Sequence, residues 1–337
     1  MKLRLILSIF AACLLTAQQT PVFRTASTLA LVRFHVVHKN RYITDLKPED
    51  VVLLEDGAPR KFTVFENALA AAGTLPVEMT LLFDTSGSVV DEGLLDPLAF
   101  KETLLDNLEG VRIAVYGFDR NMVRYSRPTR DYAQLQAAFA ALGTRGKGER
   151  IELFLPPKRK ADPNSGTWLF EAVAAVSREA AATPGDATRM VLVFSDGFPS
   201  TDSRPEDAAD IDRELGIPVY PVVLGHDRLK QRMAEVQQGM GPGDSAGPLS
   251  RLMEKQMQIA DFARLGELTG GRSFDPPAIT LTVTRSVLTS MVAQVRTEYV
   301  VGFVPEVSVT PCRHKLEIRL RNKDAGKMMG GTRTVVH

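Results

Sequence analysis

The sequence predicts an α/β chain: a doubly wound, mostly parallel sheet inserted into a small β-sandwich-like unit made from both chain ends. Three observations predict it. From Pro76 onward, short apolar runs alternate with helical spacings, the pattern of βα units that build a parallel sheet with helices on both faces. On either side of that region, apolar and polar residues alternate with period two, as in half-buried strands. Each flank is too small to bury a core alone, so the two are expected to pack on each other.

The amino end reads as a targeting segment. Lys2 and Arg4 precede an apolar run from Leu5 to Leu15, and Ala17 follows. A basic start, a short apolar core and a small residue make a secretory signal over residues 1–17, too short for a comfortable membrane span. Cleavage after Ala17 leaves Gln18 first. The rival is a lipoprotein anchored at Cys13, but Phe10 is a poor start for a lipidation box and Leu14-Leu15 continue the apolar core. No later run approaches about 20 apolar residues, so no integral membrane segment is expected in the mature chain. The expected destination is the periplasm, the outer envelope or the extracellular space. Only Cys312 survives this cleavage, which leaves no intramolecular disulfide and makes it a small residue at a strand edge. The composition is that of an ordinary globular protein, 44% hydrophobic and 24% charged, with a formal net charge of +1. That balance argues against a nucleic acid held by bulk charge.

Residues 18–72 are the first β segment. In Thr28 to Val37, Val32, Phe34 and Val36 face one way and Arg33 and His35 the other, which places His35 and His38 on the solvent side of a strand. Val51 to Leu54, the turn Glu55-Asp56-Gly57, and Phe62 to Phe65 read as a hairpin. Ala68 to Gly73 is a linker of small residues.

Residues 73–296 are the α/β domain. Its strands are Val77 to Phe83, Val111 to Phe118, a shorter one near Met122 to Tyr125, Met190 to Phe194, and Ile217 to Leu224. Between and after them, helical spacing covers Leu94 to Leu108, Asp131 to Leu142, Trp168 to Ala182, the stretch opened by Pro205, Leu252 to Leu268, and Val287 to Val295. Residues 297–337 return to alternation, with Tyr299, Val301 and Phe303, then Leu316, Ile318 and Leu320, then Arg333 to Val336.

Two insertions interrupt this order. Gly143 to Asp162 carries Arg145, Lys147, Arg150, Lys158, Arg159 and Lys160. It reads first as a solvated surface loop; the functional alternative is a basic rim that helps attract an acidic ligand. Its Gly143-Thr144-Arg145-Gly146-Lys147-Gly148 lacks the spacing of a phosphate loop. His226 to Gly247 is rich in Gln, Met and Gly, has no strand period, and reads as a flexible loop. Gly243-Asp244-Ser245-Ala246-Gly247 within it matches a serine nucleophile pattern. An elbow needs a preceding strand, which Gly239-Met240-Gly241-Pro242 makes a poor prospect, and His226 is the only nearby base.

The chemistry-bearing stretch is Leu81-Leu82-Phe83-Asp84-Thr85-Ser86-Gly87-Ser88. One carboxylate and two hydroxyls at the carboxyl end of a strand are hard ligands that suit Mg²⁺ or Mn²⁺. Ligands of open α/β sheets also sit at that end. Alone, the motif is equally a strand-to-helix loop whose Ser and Asp cap a helix. Two later segments add to it: Thr167 at the start of an apolar helix, and Asp196 at the end of a wholly apolar strand.

Asp84, Ser86 and Ser88, then Thr167, then Asp196, in that order and context, resemble the metal-ion-dependent adhesion site of von Willebrand factor type A domains. The flanks resemble a narrower group, the bacterial secreted VWFA-related family known from acidobacteria. The residues that carry this are Leu46-Lys47-Pro48-Glu49-Asp50 with Leu54-Glu55-Asp56-Gly57, Leu268-Thr269-Gly270-Gly271-Arg272, and Arg296 to Pro305. The two insertions and Trp168 beside the metal threonine depart from the pattern.

The resemblance implies binding rather than catalysis. Ser86, Ser88 and Thr167 would ligate the metal, Asp84 and Asp196 would act directly or through water, and a protein partner would add a carboxylate. It also implies that ligand binding shifts the last helix, Val287 to Val295, which runs into the Tyr299 strand. The expected function is therefore a secreted or envelope-associated adhesion-like module using Mg²⁺ or Mn²⁺, and not an enzyme. The alternatives are a structural envelope protein whose metal loop only stabilises the fold, and a serine hydrolase using Ser245.

Overall fold

The computed structural model describes residues 30–39, 41–67, 77–94, 111–153, 166–184, 187–240, 247–277, 281–305 and 312–336. The signal segment with Cys13, the 68–73 linker, most of the helix expected over 94–108, Lys158 to Lys160, and Ser245 lie outside them.

The central sheet has six strands in the order β11-β10-β6-β7-β8-β9. The strands are β6 (Val77–Asp84), β7 (Val111–Phe118), β8 (Met122–Thr129), β9 (Glu149–Ile151), β10 (Thr188–Ser195) and β11 (Val219–Val223). The first four in that order pair in parallel, whereas β8 and β9 add antiparallel at one edge. Its helices are α1 (Gly87–Val90), α2 (Tyr132–Gly143), α3 (Leu169–Ala182), α4 (Pro205–Leu215), α5 (His226–Gly239), α6 (Gly247–Thr269) and α7 (Leu281–Arg296). β6, β10 and β11 are buried on both faces, which is why they read as largely apolar runs, with Glu78 and Thr80 of β6 buried among them. Their alternate residues feed two separate cores, Leu81 and Phe83 on one side and Leu82 and Val193 on the other.

The two chain ends form two further sheets. One has the order β14-β1-β12-β5, with β2 added to β1; the other is β15-β13-β3-β4. Their strands are β1 (Ala30–His38), β2 (Arg41–Tyr42), β3 (Val51–Glu55), β4 (Ala58–Arg60), β5 (Val64–Asn67), β12 (Tyr299–Phe303), β13 (Arg313–Leu320), β14 (Lys327–Gly330) and β15 (Thr332–Val336). Val32, Phe34 and Val36 meet Val51, Leu53, Leu316 and Ile318 in one shared core. Phe34 pairs with Tyr299 across β1 and β12, and their rings stack at 5.4 Å.

Several elements differ from expectation. The hairpin partner of β3 is β4, across an Asp56-Gly57 turn with both residues at positive φ; Phe65 lies instead on β5, in the other sheet beside β12. Residues 226–239 are helix rather than loop: Leu229 and Met233, four apart, pack on the core, and Lys230, Gln231 and Arg232 between them are good helix formers. Within the insertion at 143–162, Glu149–Ile151 is an edge strand. His35 is buried rather than solvent-facing. Its face of β1 is not open: the Tyr42 ring and Glu298 flank it, and burial holds its imidazole below the usual histidine range.

The β unit is fastened to the α/β domain by polar groups. Arg333 on β15 donates to Leu31 O at 2.7 Å and to Glu214 O, on α4, at 2.9 Å. After α6 the backbone of Gly271 lies so close to β11 that a Cβ there would sit 2.0 Å from Val219 O. Gly271→Ala is therefore expected to cost about 3 kcal/mol, the upper end for an overpacked site, because its obstacle is backbone. A lowered urea midpoint with an unchanged slope would show it; an unchanged midpoint would contradict the contact. Among the described residues no helix is long and apolar enough to cross a membrane.

Candidate metal centre

β6 ends on Asp84, which is fully buried, and the chain turns at once: Asp84 Oδ1 accepts the Ser86 N–H at 2.8 Å. Ser86 stands at the N-cap of α1 with extended backbone angles, and its Oγ lies 3.1 Å from Ser88 Oγ. On the neighbouring strand, β10 ends on Ser195, and Asp196 follows, 2% exposed. Asp196 Oδ1 accepts the Phe198 N–H at 3.2 Å, and its carboxylate also bonds Ser88. Thr167 is 4% exposed. Its N–H donates to Ser200 Oγ at 3.1 Å, and Ser200 N–H returns a bond to Thr167 O at 2.8 Å. Asp84, Ser86, Ser88 and Asp196 thus meet in one cluster. Thr167 is joined to the Asp196 loop through Ser200. Ser88 is exposed, so the cluster opens to solvent on that side.

Two positioning residues carry no signal in the spacing that points to a metal. Ser195 donates to Asp84 Oδ2 at 2.6 Å and accepts the Gly197 N–H at 3.0 Å, bracing one acid against the loop of the other. Ser200 ties in the threonine loop. Their only sequence cue is proximity to Asp196.

The electrostatics are those of two like charges forced together. Burial first, and the Asp196 charge second, push the Asp84 carboxyl up to about 7, against the bonds from Ser195 and Ser86. Asp196 is also raised, chiefly by burial, with Ser88, the Phe198 N–H and Lys255 pulling the other way. A pair of buried acids short of positive charge, ringed by hydroxyls, fits a hard divalent cation. Among the described residues no three His, Cys, Asp or Glu side chains converge as a metal group, so the neutral ligands here are the hydroxyls.

Beside the cluster lies a groove of about 500 Å³ lined by Ser88, Asp196, Phe198, Arg228, Arg232 and Lys255. Lys255 sits over the Phe198 ring at 4.4 Å. His226, the base nearest Ser245 in sequence, is buried with Nδ1 at 2.7 Å from Asp275 and Nε2 at 3.1 Å from Gln256. Cys312 is exposed, just before β13, with Sγ 2.9 Å from His314 Nε2.

A doubly wound sheet with an Asp-x-Ser-x-Ser turn at a central strand end defines a class of α/β domains with a hydroxyl-rich acid pair. The sequence matches the von Willebrand factor type A domain over residues 78–246, half of the chain, and the protein belongs to that family. No curated protein matches it. Among solved structures it is similar to an aerotolerance-related membrane protein from Bacteroides fragilis, at 15% identity and TM-score 0.41, covering 65% of this chain and 98% of that one. BatB from Bacteroides thetaiotaomicron is alike at 12% identity and TM-score 0.41, with the same coverage. Proximal thread matrix protein 1 from the mussel byssus, with a zinc-occupied MIDAS motif, is alike at 12% identity and TM-score 0.37, covering 70% of this chain and 48% of that one.

Proposed function

We propose that this protein is an exported, metal-dependent binding module that captures an acidic group of a protein partner. The observation that carries this reading is the pair of buried acids, Asp84 and Asp196, set beside Ser86 and Ser88, with Thr167 joined to the Asp196 loop through Ser200 and one side open at Ser88. Asp84 and Asp196 supply the charge that holds Mg²⁺ or Mn²⁺, and the three hydroxyls supply neutral oxygens. When bound, the ion provides a hard positive centre for an anionic oxygen of the partner. Ser195 and Ser200 hold the ligands in place. The reading is of binding and not of catalysis.

The finer assignments belong to the same proposal. The proposal takes the chain as one of the secreted VWFA-related proteins known from acidobacteria, which its flanking motifs resemble. The chain divides into a signal at 1–17, β segments at 18–72 and 297–337, and the family domain at 73–296. The test is calorimetric titration of Mn²⁺ and Mg²⁺ into the chain from Gln18, beside Asp84→Ala. Weak binding by the wild type, lost in the variant, is expected; a folded wild type that binds neither ion up to millimolar concentration overturns the reading. A second reading, a structural envelope protein, is favoured by one observation: Ser195 and Ser86 hold Asp84 by hydrogen bonds that need no ion.

A further inference from the structure

We propose that Arg145, Lys147 and Arg150 form an anion subsite beside the metal loop, which takes a second acidic side chain of an acidic peptide whose first carboxylate is held at the metal. This rests on the binding reading above. The three cations line a pocket of about 360 Å³ together with Thr85, Asp119 and Tyr125. Arg145 donates to Thr85 O at 2.5 Å, one residue from Asp84, so the pocket and the metal loop share a wall. Trp168 N–H, next to Thr167, donates to Asp119 O at 3.0 Å and joins the pocket to the threonine loop as well.

The charge in this pocket is neutralised only in part, since three cations face a single carboxylate. Its one acid, Asp119, is engaged by Asn121, whose N–H lies at 2.7 Å. The nearest acid in the same strand, Glu149, is drawn away by Arg124 at 2.5 Å and Arg127 at 3.3 Å. Arg150 meets only a neutral acceptor, Asn121 Oδ1, at 2.5 Å. Among the described residues no ion pair joins Arg145, Lys147 or Arg150 to a carboxylate. The loop is also held in place. β9 pairs with β8, and a Cβ at Gly148 would lie 2.5 Å from Val123 Cγ1 and 2.7 Å from Arg124 O, so the backbone is pressed onto the sheet edge. Three fixed, exposed cations against one acid leave a net positive charge that attracts carboxylates. The open groove and the neighbouring metal loop favour an extended peptide that reaches both.

The experiment uses two fluorescent peptides of equal length, hexaglutamate and one glutamate among glutamines. Each is titrated with the protein in Mn²⁺ at physiological salt. Arg145 is left intact because it holds the Thr85 carbonyl; the test variant is Lys147→Gln with Arg150→Gln. Hexaglutamate is expected to bind wild type more tightly than the single-glutamate peptide, and the test variant is expected to lose about tenfold of that advantage. A control, Lys315→Gln with Arg319→Gln on β13, is expected to keep it. No hexaglutamate binding by wild type, an unchanged advantage in the test variant, or an equal loss in the control overturns the subsite. If Asp84→Ala leaves hexaglutamate binding intact while the test variant weakens it, the subsite stands and the metal reading falls.

Discussion

Asp84→Asn is expected to abolish metal binding and, without metal, to stabilise the fold. Loss of a charged ligand should weaken Mn²⁺ binding by more than the roughly 100-fold upper range seen for outer-shell changes. The stability effect has the opposite sign. Asp84 titrates near 7 when folded, well above an exposed aspartate, so the folded chain holds its proton over the window from about pH 4 to about 7. The neutral acid carries no charge penalty below that window. Stability is lost as pH rises through it, and the penalty is complete above about pH 7. The amide keeps the Ser86 N–H bond and carries no charge, so the variant should gain up to about 4 kcal/mol near pH 8 in chelator and nothing near pH 4. Urea unfolding at both pH values reads this directly. A variant less stable than wild type at the higher pH would mean that the Asp84 charge is already compensated without metal.

The second large effect lies directly behind the acids. Phe83 and Phe194 immediately precede Asp84 and Ser195, pair across β6 and β10, and stack at 4.8 Å, while Phe139 meets Phe83 edge-on at 6.0 Å. Phe83→Ala should cost about 4 kcal/mol, and Phe83→Leu much less, because the leucine fills most of the space. Metal affinity should fall with the alanine variant, since the two acids sit on strands that the ring pair keeps in register. A loss below about 1 kcal/mol would mean that neighbouring side chains collapse into the cavity.

Legibility in the sequence followed burial. β6, β7 and β10 are nearly or wholly enclosed and so carry a predominantly apolar signal, broken only by Glu78, Thr80 and Arg112 between the expected ends, which are off by at most two residues. The two acids at strand ends were visible for the same reason. Residues 226–239 were not visible as helix, because that helix buries little beyond His226 and Leu229 and its face pattern is faint. His35 misleads because period two reports which residues share a face, not whether the second face meets water; here it meets the Tyr42 ring and Glu298. Phe65 misled because nearness in sequence suggested pairing with β3, whereas its strand had a distant partner in β12. Ser195 was hidden among ordinary strand residues, since a brace between two loops has no spacing of its own.

The pairing of Ala30 with Phe303, and of Val51 with Leu320, has a consequence for how the chain is made. β1 and β3 emerge early with only the short strands β2 and β4 beside them, while β12, β13 and β14 lie beyond the whole central domain. Until the last residues arrive, these strands have open edges and half a core. The central domain, whose sheet is closed among its own strands, can condense first. The β unit is then the slow, long-range step, governed by loop closure rather than by local preference. A chain stopped before β12 would carry a folded centre and a start whose long strand edges are open. A chain that extends through β15 has both the folded centre and the paired outer sheets.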